Sequence, residues 1–254
     1  MEIMMKRLLI RADDLGFSEG TNYGIAKSVK DGIIRNVGLM PNMPAAQHGY
    51  DLIKDENVCL GQHTNICVGK PLTDPALIPS ITGEDGEFRS SSEYRIAKED
   101  FVVLDEVILE IEAQYQRFKE ITGREPSYFE GHAVASANFF KGLAIVAKRH
   151  GLDYLAMSFD GSAIRFGKAD LYMYMDSMKP DYDPFSSLKN CMENVHEGGV
   201  EMFICHPGYL DAYILRKSSL TVPRAMEVEM LCSDETKKYI EEQGIELVTY
   251  DDLK

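Results

Sequence analysis

The chain has 254 residues, 44% apolar and 27% charged, an ordinary composition for one globular domain of α/β-barrel size. Its formal net charge is −14, and Arg124, Lys148, Arg149, Arg216 and Lys217 are scattered rather than clustered. That balance argues against nucleic acid, anionic membrane and highly anionic polymers as partners, and leaves a neutral sugar open.

In chain order, Leu8 to Ala12 reads as a strand and Gly24 to Asp31 as a helix ended by Gly32. Val37 to Met40 is a second strand, Ala45 to Lys54 a helix, and Val58 to Gln62 a third strand. Cys67 to Asp105 breaks the rhythm with Pro71, Pro75, Pro79, Gly83 and Gly86, and is expected to be a lid or substrate wall. Glu106 to Ile121 places Val107, Ile108, Ile111, Tyr115 and Phe118 at helical spacing. Tyr128 and Phe129 form a short strand, and Phe139 to His150 a helix closed by Gly151. Ser158 to Pro184 is irregular and rich in Tyr and Met. Val200 to Cys205 is a late strand, Asp234 to Gln243 a helix and Ile245 to Thr249 the last strand. Repeated strand-then-helix order predicts parallel strands with right-handed crossovers. The expected fold is one α/β domain over residues 1–254, a (β/α) barrel, distorted or with fewer than eight units. A doubly wound open sheet is the alternative.

The opening run MEIMMKRLLIRADD has too short an apolar stretch for a signal peptide, and no run of about 18 apolar residues follows anywhere. The five cysteines form no CxxC pair, and Cys59 and Cys205 read as buried thiols. A cytoplasmic protein is expected, working alone or as a homodimer.

The polar residues fall at predicted strand ends. Strand one runs into Asp13 and Asp14, strand three into His63 and Asn65. The Tyr128–Phe129 strand runs into Glu130 and His132, and the late strand into His206, Pro207 and Gly208. In parallel α/β folds the C-terminal strand edge is where active sites form, so these groups converge. Singly, each has a bland reading: a helix cap for Asp-Asp, a satisfied structural histidine, a turn for His-Pro-Gly. Together they suit chemistry. One carboxylate and two imidazoles hold a divalent metal with open positions. A second carboxylate can take a proton from water, and a histidine across the site can protonate a leaving amine.

At this point RADDLGFSEGTNYGI, GQHTNICVGKPL, the Gly-His of FEGHAVAS, and CHPGY resemble the YdjC-like carbohydrate deacetylases, which include chitooligosaccharide deacetylase. PRAMEVEML and GIELVTYDDL are similar to that family's C-terminal pattern. The resemblance implies a barrel-like fold and removal of acetyl groups from small N-acetylated sugars. It implies one divalent metal, magnesium by family, whereas two imidazoles suit zinc or another transition ion. Asp14, His63 and His132 would bind the metal, with Asp13 the general base and His206 the acid or oxyanion stabiliser. Arg224 would orient Asp13 or contact substrate, and Asn65 would orient a loop or the substrate. The chain departs from the pattern at Arg11, where the family usually has Asn. It departs again at Glu130-Gly131-His132-Ala133-Val134-Ala135-Ser136, usually Asp-Ser-His-x-x-Val-His. These changes are expected behind the ligands or at substrate contacts. Two rival functions remain open: another amide or ester hydrolysed on a sugar or phosphosugar, and a sugar-binding or regulatory protein without turnover.

Other residues keep bland expectations. His48, His150 and His196 read as surface or capping residues, and Cys67 as packing although it follows His63 by one helical turn. Tyr172, Met173, Tyr174 and Met175 line a pocket or fill core.

Overall fold

The computed structural model describes residues 5–254, so residues 1–4 of the opening run lie outside it. The elements, in order, are β1 (Lys6–Leu15), α1 (Glu19–Lys30), β2 (Asn36–Leu39), α2 (Ala46–Ile53), β3 (Cys59–Thr64), α3 (Ser91–Ile96), α4 (Leu104–Thr122), β4 (Phe129–Gly131) and α5 (Ala137–His150). They continue with β5 (Ile164–Phe166), β6 (Ala169–Tyr174), α6 (Pro184–Glu193), β7 (Val200–Cys205), α7 (Ala212–Lys217), α8 (Val222–Cys232), α9 (Asp234–Glu242) and β8 (Ile245–Leu247). The strands form one curled sheet in the order β4-β3-β2-β1-β7-β6-β5, with β8 added to β1. No pairing between β4 and β5 closes the curl among the described residues, so the fold is an incomplete, barrel-like α/β domain.

Strand β1 is the axis. Its run Leu8-Leu9-Ile10 is buried on both faces, as a central parallel strand requires. Side chains alternate along a strand. Leu8, Ile10 and Ala12 pack outward against the helical layer of Ile25, Val29, Phe118 and Leu231. Leu9 points into the curl with Tyr128, Phe166, Leu171, Met202 and Tyr250. This apolar plug fills the base of the curl, and polar side chains begin above it.

The all-parallel expectation needs one correction. The stretch from Ser158 to Pro184, expected to be irregular, contains β5 and β6, which pair antiparallel through Ile164↔Leu171 and Phe166↔Ala169. Every other ladder is parallel. Helices α3, α6, α7 and α8 also lie where no helix is predicted. In α6, Asp183 caps the N-terminus and Pro184 occupies its first turn, a start signal hidden among turn-forming residues. Segment 67–105 packs Ile78, Ile81, Phe88 and Val102 onto α4 and α5. Glu110 accepts from the Leu72 and Thr73 amides, and Glu106 from the Ser80 amide at 2.7 Å, fixing the segment to α4. No helix among the described residues is long and apolar enough to cross a membrane.

Candidate metal centre

Regular alternation would send Asp13 and Asp14 to opposite faces of β1. The β1–β2 register slips between Ala12 and Leu15, and Asp14 adopts a left-handed backbone with φ 76°. This bulge brings both carboxylates to the mouth of the curl. Such a conformation is costly outside glycine, although aspartate tolerates it better than most residues.

Asp14 is fully buried. Its Oδ1 lies 3.3 Å from His63 Nε2 and 3.1 Å from His132 Nδ1, and the two ring nitrogens are 2.9 Å apart. The three ligand atoms sit close enough to share one ion. Asp14 Oδ1 has no hydrogen-bond partner, an orphaned buried oxygen that a cation would satisfy. Behind this cluster, the β3–β4 ladder sets His63 directly beside Glu130. Glu130 Oε1 bonds His63 Nδ1. A proton on Nδ1 leaves the Nε2 lone pair facing Asp14, the arrangement common behind metal-bound histidines. One carboxylate and two imidazoles fit a divalent ion of the zinc type better than magnesium.

The charges around the cluster agree. Burial raises the Asp14 pKa, but Arg224 and His132 outweigh it and hold the carboxyl well below its ordinary value. Burial lowers His63 and His132, but their carboxylate neighbours prevail: His63 is held well above its usual value and His132 at about 9. An ion arriving at neutral pH must therefore displace protons.

Asp13 stands beside the cluster. Its Oδ2 accepts from Arg11 Nη2 at 2.6 Å, while Oδ1 has no partner. Gly38 makes room for it, since a Cβ there would sit 2.9 Å from Asp13 Oδ1. Arg11 also donates to the Tyr250 hydroxyl at 3.2 Å and lies 3.6 Å from Glu130 Oε2.

The expectation that Arg224 orients Asp13 needs correction. Arg224 donates to Asp14 Oδ2 at 2.7 Å, and Arg11 holds Asp13. Arg224 reaches Asp14 because it sits on α8, which packs beside α1 and α6. It also donates to the His206 carbonyl, while Glu227, one turn further along α8, accepts from the His206 amide at 2.6 Å. Two side chains of one helix thus grip both backbone groups of His206. Sequence reasoning missed Glu227; its signal is the i,i+3 spacing from Arg224. Burial pushes Glu227 up to about 7, and pushes His206 down to about 4.

Asn65 lies away from the cleft wall. Its Oδ1 accepts from the Cys67 and Val68 amides and its Nδ2 donates to the Val68 carbonyl, so it shapes the turn after β3. Ser136 is also remote: it caps α5 by accepting from the Phe139 amide and donates to Asp100. That departure from the family pattern therefore touches neither the candidate ligands nor the cleft. Cys67 lines the cleft beside His132. Of the four Tyr and Met candidates, Met175 lines the cleft, whereas Tyr172 stacks on His196 and Met173 packs into the core. His48 bonds Asn22, and His150 stacks on Tyr115.

The cleft above the cluster has a volume of about 280 Å³. Phe17, Met157, Met175, Met178 and Leu220 give it apolar walls over a floor of charged groups. That is the usual build of a small-molecule site.

The YdjC-like protein family matches residues 7–242. The chain is 32% identical to carbohydrate deacetylase 2 of Listeria innocua over 261 residues, covering 97% of this chain and 98% of that one. It is 30% identical to a chitooligosaccharide deacetylase of Escherichia fergusonii over 260 residues, covering 98% and 100%. A solved Enterococcus faecalis structure, assigned provisionally to cellobiose-phosphate cleavage, superposes with a TM-score of 0.83 at 24% identity, covering 98% and 99%.

Proposed function

The chain belongs to the YdjC-like protein family, and on that premise we propose that it is a metal-dependent hydrolase removing the acetyl group from N-acetylated mono- or oligosaccharides. One observation carries the reading: the unpartnered Asp14 Oδ1 faces His63 Nε2 and His132 Nδ1, beside an equally unpartnered Asp13 Oδ1. The ligands are Asp14, His63 and His132. When bound, a zinc-like divalent ion supplies Lewis-acid polarisation of the amide carbonyl and acidifies water.

The chain's own groups supply the rest. Asp13 Oδ1 takes the proton from the attacking water, while Arg11 holds Oδ2 so that only Oδ1 is free. His206 is an uncharged imidazole at neutral pH, since burial puts its pKa at about 4. Of its two expected roles, donating an N–H to the developing oxyanion is favoured. The proton needed by the departing amine then comes from Asp13, which has just collected one. The apolar cleft walls exclude water and accept the faces of a sugar ring. We assign segment 67–105 the role of a substrate wall, because Cys67, Val68, Ser91 and Arg95 line the cleft. The binding-only reading rested on the altered Glu130–Ser136 segment. It weakens here, since Ser136 caps a helix and Glu130 supports His63. A cytoplasmic location remains part of the proposal, supported by five free cysteines.

The test is acetate release from N-acetylglucosamine and its β-1,4 disaccharide, each with and without a 6-phosphate. The protein is assayed as isolated, after chelation, and after adding back zinc or magnesium. Release that falls on chelation and returns with metal is expected. Release indifferent to chelation, or no release from any of these amides, overturns the reading.

A further inference from the structure

The β6–β7 ladder is parallel and sets Tyr174 opposite Phe203. Both strands therefore leave the sheet at the same edge, and Ser177 and His206 lie equally far past that pair. The Asp176 carbonyl accepts from the Lys179 amide at 2.8 Å, closing a turn that leaves Ser177 only 2% exposed. The Ser177 hydroxyl lies 3.4 Å from His206 Nδ1. That is long for an O–H···N bond, as catalytic contacts often are in a free enzyme. The backbone of His206 is already gripped by Arg224 and Glu227, and Tyr182, from the same β6–α6 loop, donates to Glu227 Oε1 at 2.9 Å. What is left to fix is the ring. Its Nδ1 meets Ser177, while Nε2 has no protein partner among the described residues and His206 lines the cleft.

Hydrogen-bond accounting says which nitrogen carries the proton. Burial keeps His206 uncharged at neutral pH, so one ring nitrogen donates and the other accepts. The Ser177 hydroxyl is a buried donor, and His206 Nδ1 is the one acceptor it reaches among the described residues. With the ring proton on Nδ1, that N–H would donate to Ser177 Oγ and leave the hydroxyl proton buried without an acceptor. With the hydroxyl donating to Nδ1, both groups are satisfied and the ring proton sits on Nε2.

We infer that Ser177 is a positioning residue whose hydroxyl donates to His206 Nδ1 and so fixes the tautomer that presents Nε2–H to the cleft. The inference rests on the proposed reaction, in which that N–H meets the developing oxyanion. Without Ser177 the ring has no partner on either nitrogen, so it exchanges between tautomers and turns more freely. An oxyanion donor has its full effect only when aimed in advance. The same loop gives Met175 and Met178 to the cleft wall, so one segment both shapes the cleft and aims His206.

The tautomer can be read directly, by ring-¹⁵N NMR of histidine-labelled protein with zinc added at neutral pH, His206→Ala assigning the signals. Wild type is expected to show a protonated Nε2 and a bare Nδ1. Ser177→Ala is expected to show nitrogens averaged between tautomers, and Ser177→Thr, which keeps the hydroxyl, to restore the wild-type pattern. In acetate release, Ser177→Ala is expected to lower kcat by roughly 10-fold with KM little changed, less than the roughly 10²–10³-fold that loss of a whole oxyanion donor costs. In a His206→Ala background the same substitution is expected to cost nothing further. A wild-type ring protonated on Nδ1 overturns the inference. So does a Ser177→Ala enzyme with wild-type kcat, or a loss that persists undiminished without His206. The expected tautomer in a wild type that releases no acetate overturns the proposed reaction and leaves the Ser177–His206 pair standing.

Discussion

Arg224 Nη2 donates to Asp14 Oδ2 at 2.7 Å, joining residues 210 positions apart. The bond ties the bulge at the end of β1 to helix α8 and neutralises a fully buried carboxylate. Removing one member of such a pair costs about 3–5 kcal/mol, because the other is left charged and dry. Arg224→Met is therefore expected to lower the Tm of the metal-free protein by roughly 6–20 °C. A divalent ion on Asp14 compensates the same charge, so most of that loss should vanish when zinc is added. Melting curves in chelator and in zinc measure both terms. Equal losses in the two conditions would remove Asp14 from the ligand set.

Asp13→Asn tests the proposed base role of Asp13 separately from metal binding. The amide keeps the size and the acceptor oxygen for Arg11 but cannot take a proton. Zinc affinity is expected to change by only a few-fold, while kcat falls by roughly 10²–10⁴-fold, the usual worth of a positioned base. Calorimetry and acetate release on one preparation test the split. A large loss of affinity with little loss of kcat would make Asp13 a ligand instead.

Much of the frame was legible because its signals are local. Apolar runs such as Leu8–Ala12 and Val200–Cys205 are strands in the structure, and each ends where polar residues begin. That is why Asp13, Asp14, His63, His132 and His206 could be gathered at one edge, and the structure brings them to one cleft. What stayed hidden depends on contacts far apart in sequence. The β5–β6 hairpin carries alternate exposed and buried residues amid Tyr and Met, so it reads as loop. Arg11 looks like an interruption in an apolar strand until the curl sets it against Asp13, Glu130 and Tyr250. Glu227 was missed because α8 was unrecognised, so its spacing from Arg224 had no face to lie on. The pairing of Arg224 with Asp14 rather than Asp13 follows from the bulge, which no residue type announces.

Gly38 and Gly61 face each other in the β2–β3 ladder and point into the curl. They should fail differently. A Cβ on Gly38 would lie 2.9 Å from Asp13 Oδ1 and 3.1 Å from His63 Cβ, so Gly38→Ala pushes Asp13 and His63, the proposed base and the proposed ligand, apart. Its stability cost is expected to be about 1–3 kcal/mol, while a displacement of order 1 Å costs about 10²-fold in rate. A Cβ on Gly61 would lie 2.3 Å from the Tyr128 ring in the plug below. Gly61→Ala should therefore cost more stability than Gly38→Ala, with less specific damage to kcat. Urea unfolding and acetate release on the folded fraction of each variant check the contrast. It fails if Gly38→Ala retains wild-type kcat.

Glu227 links stability to pH. Its carboxyl is buried against the His206 amide and the Tyr182 hydroxyl, with Arg224 and Asp14 close by. Burial is the largest influence and raises its pKa from 4.5 to about 7. The folded protein therefore binds this proton more tightly than the unfolded chain does. The sign follows by linkage: the contribution is fully present below pH 4.5, shrinks as pH rises, and is lost above about pH 7. The shift corresponds to about 3 kcal/mol at its full extent. Glu227→Gln keeps a carbonyl acceptor at the same place but carries no charge at any pH. The variant is expected to gain stability relative to wild type as pH rises from 5 to 8, by up to about 3 kcal/mol, and to converge with it at the acidic end. Urea unfolding at pH 5 and pH 8 gives the comparison. A gap that stays constant between the two would show that Glu227 is ionised throughout, and that Arg224 rather than burial governs it.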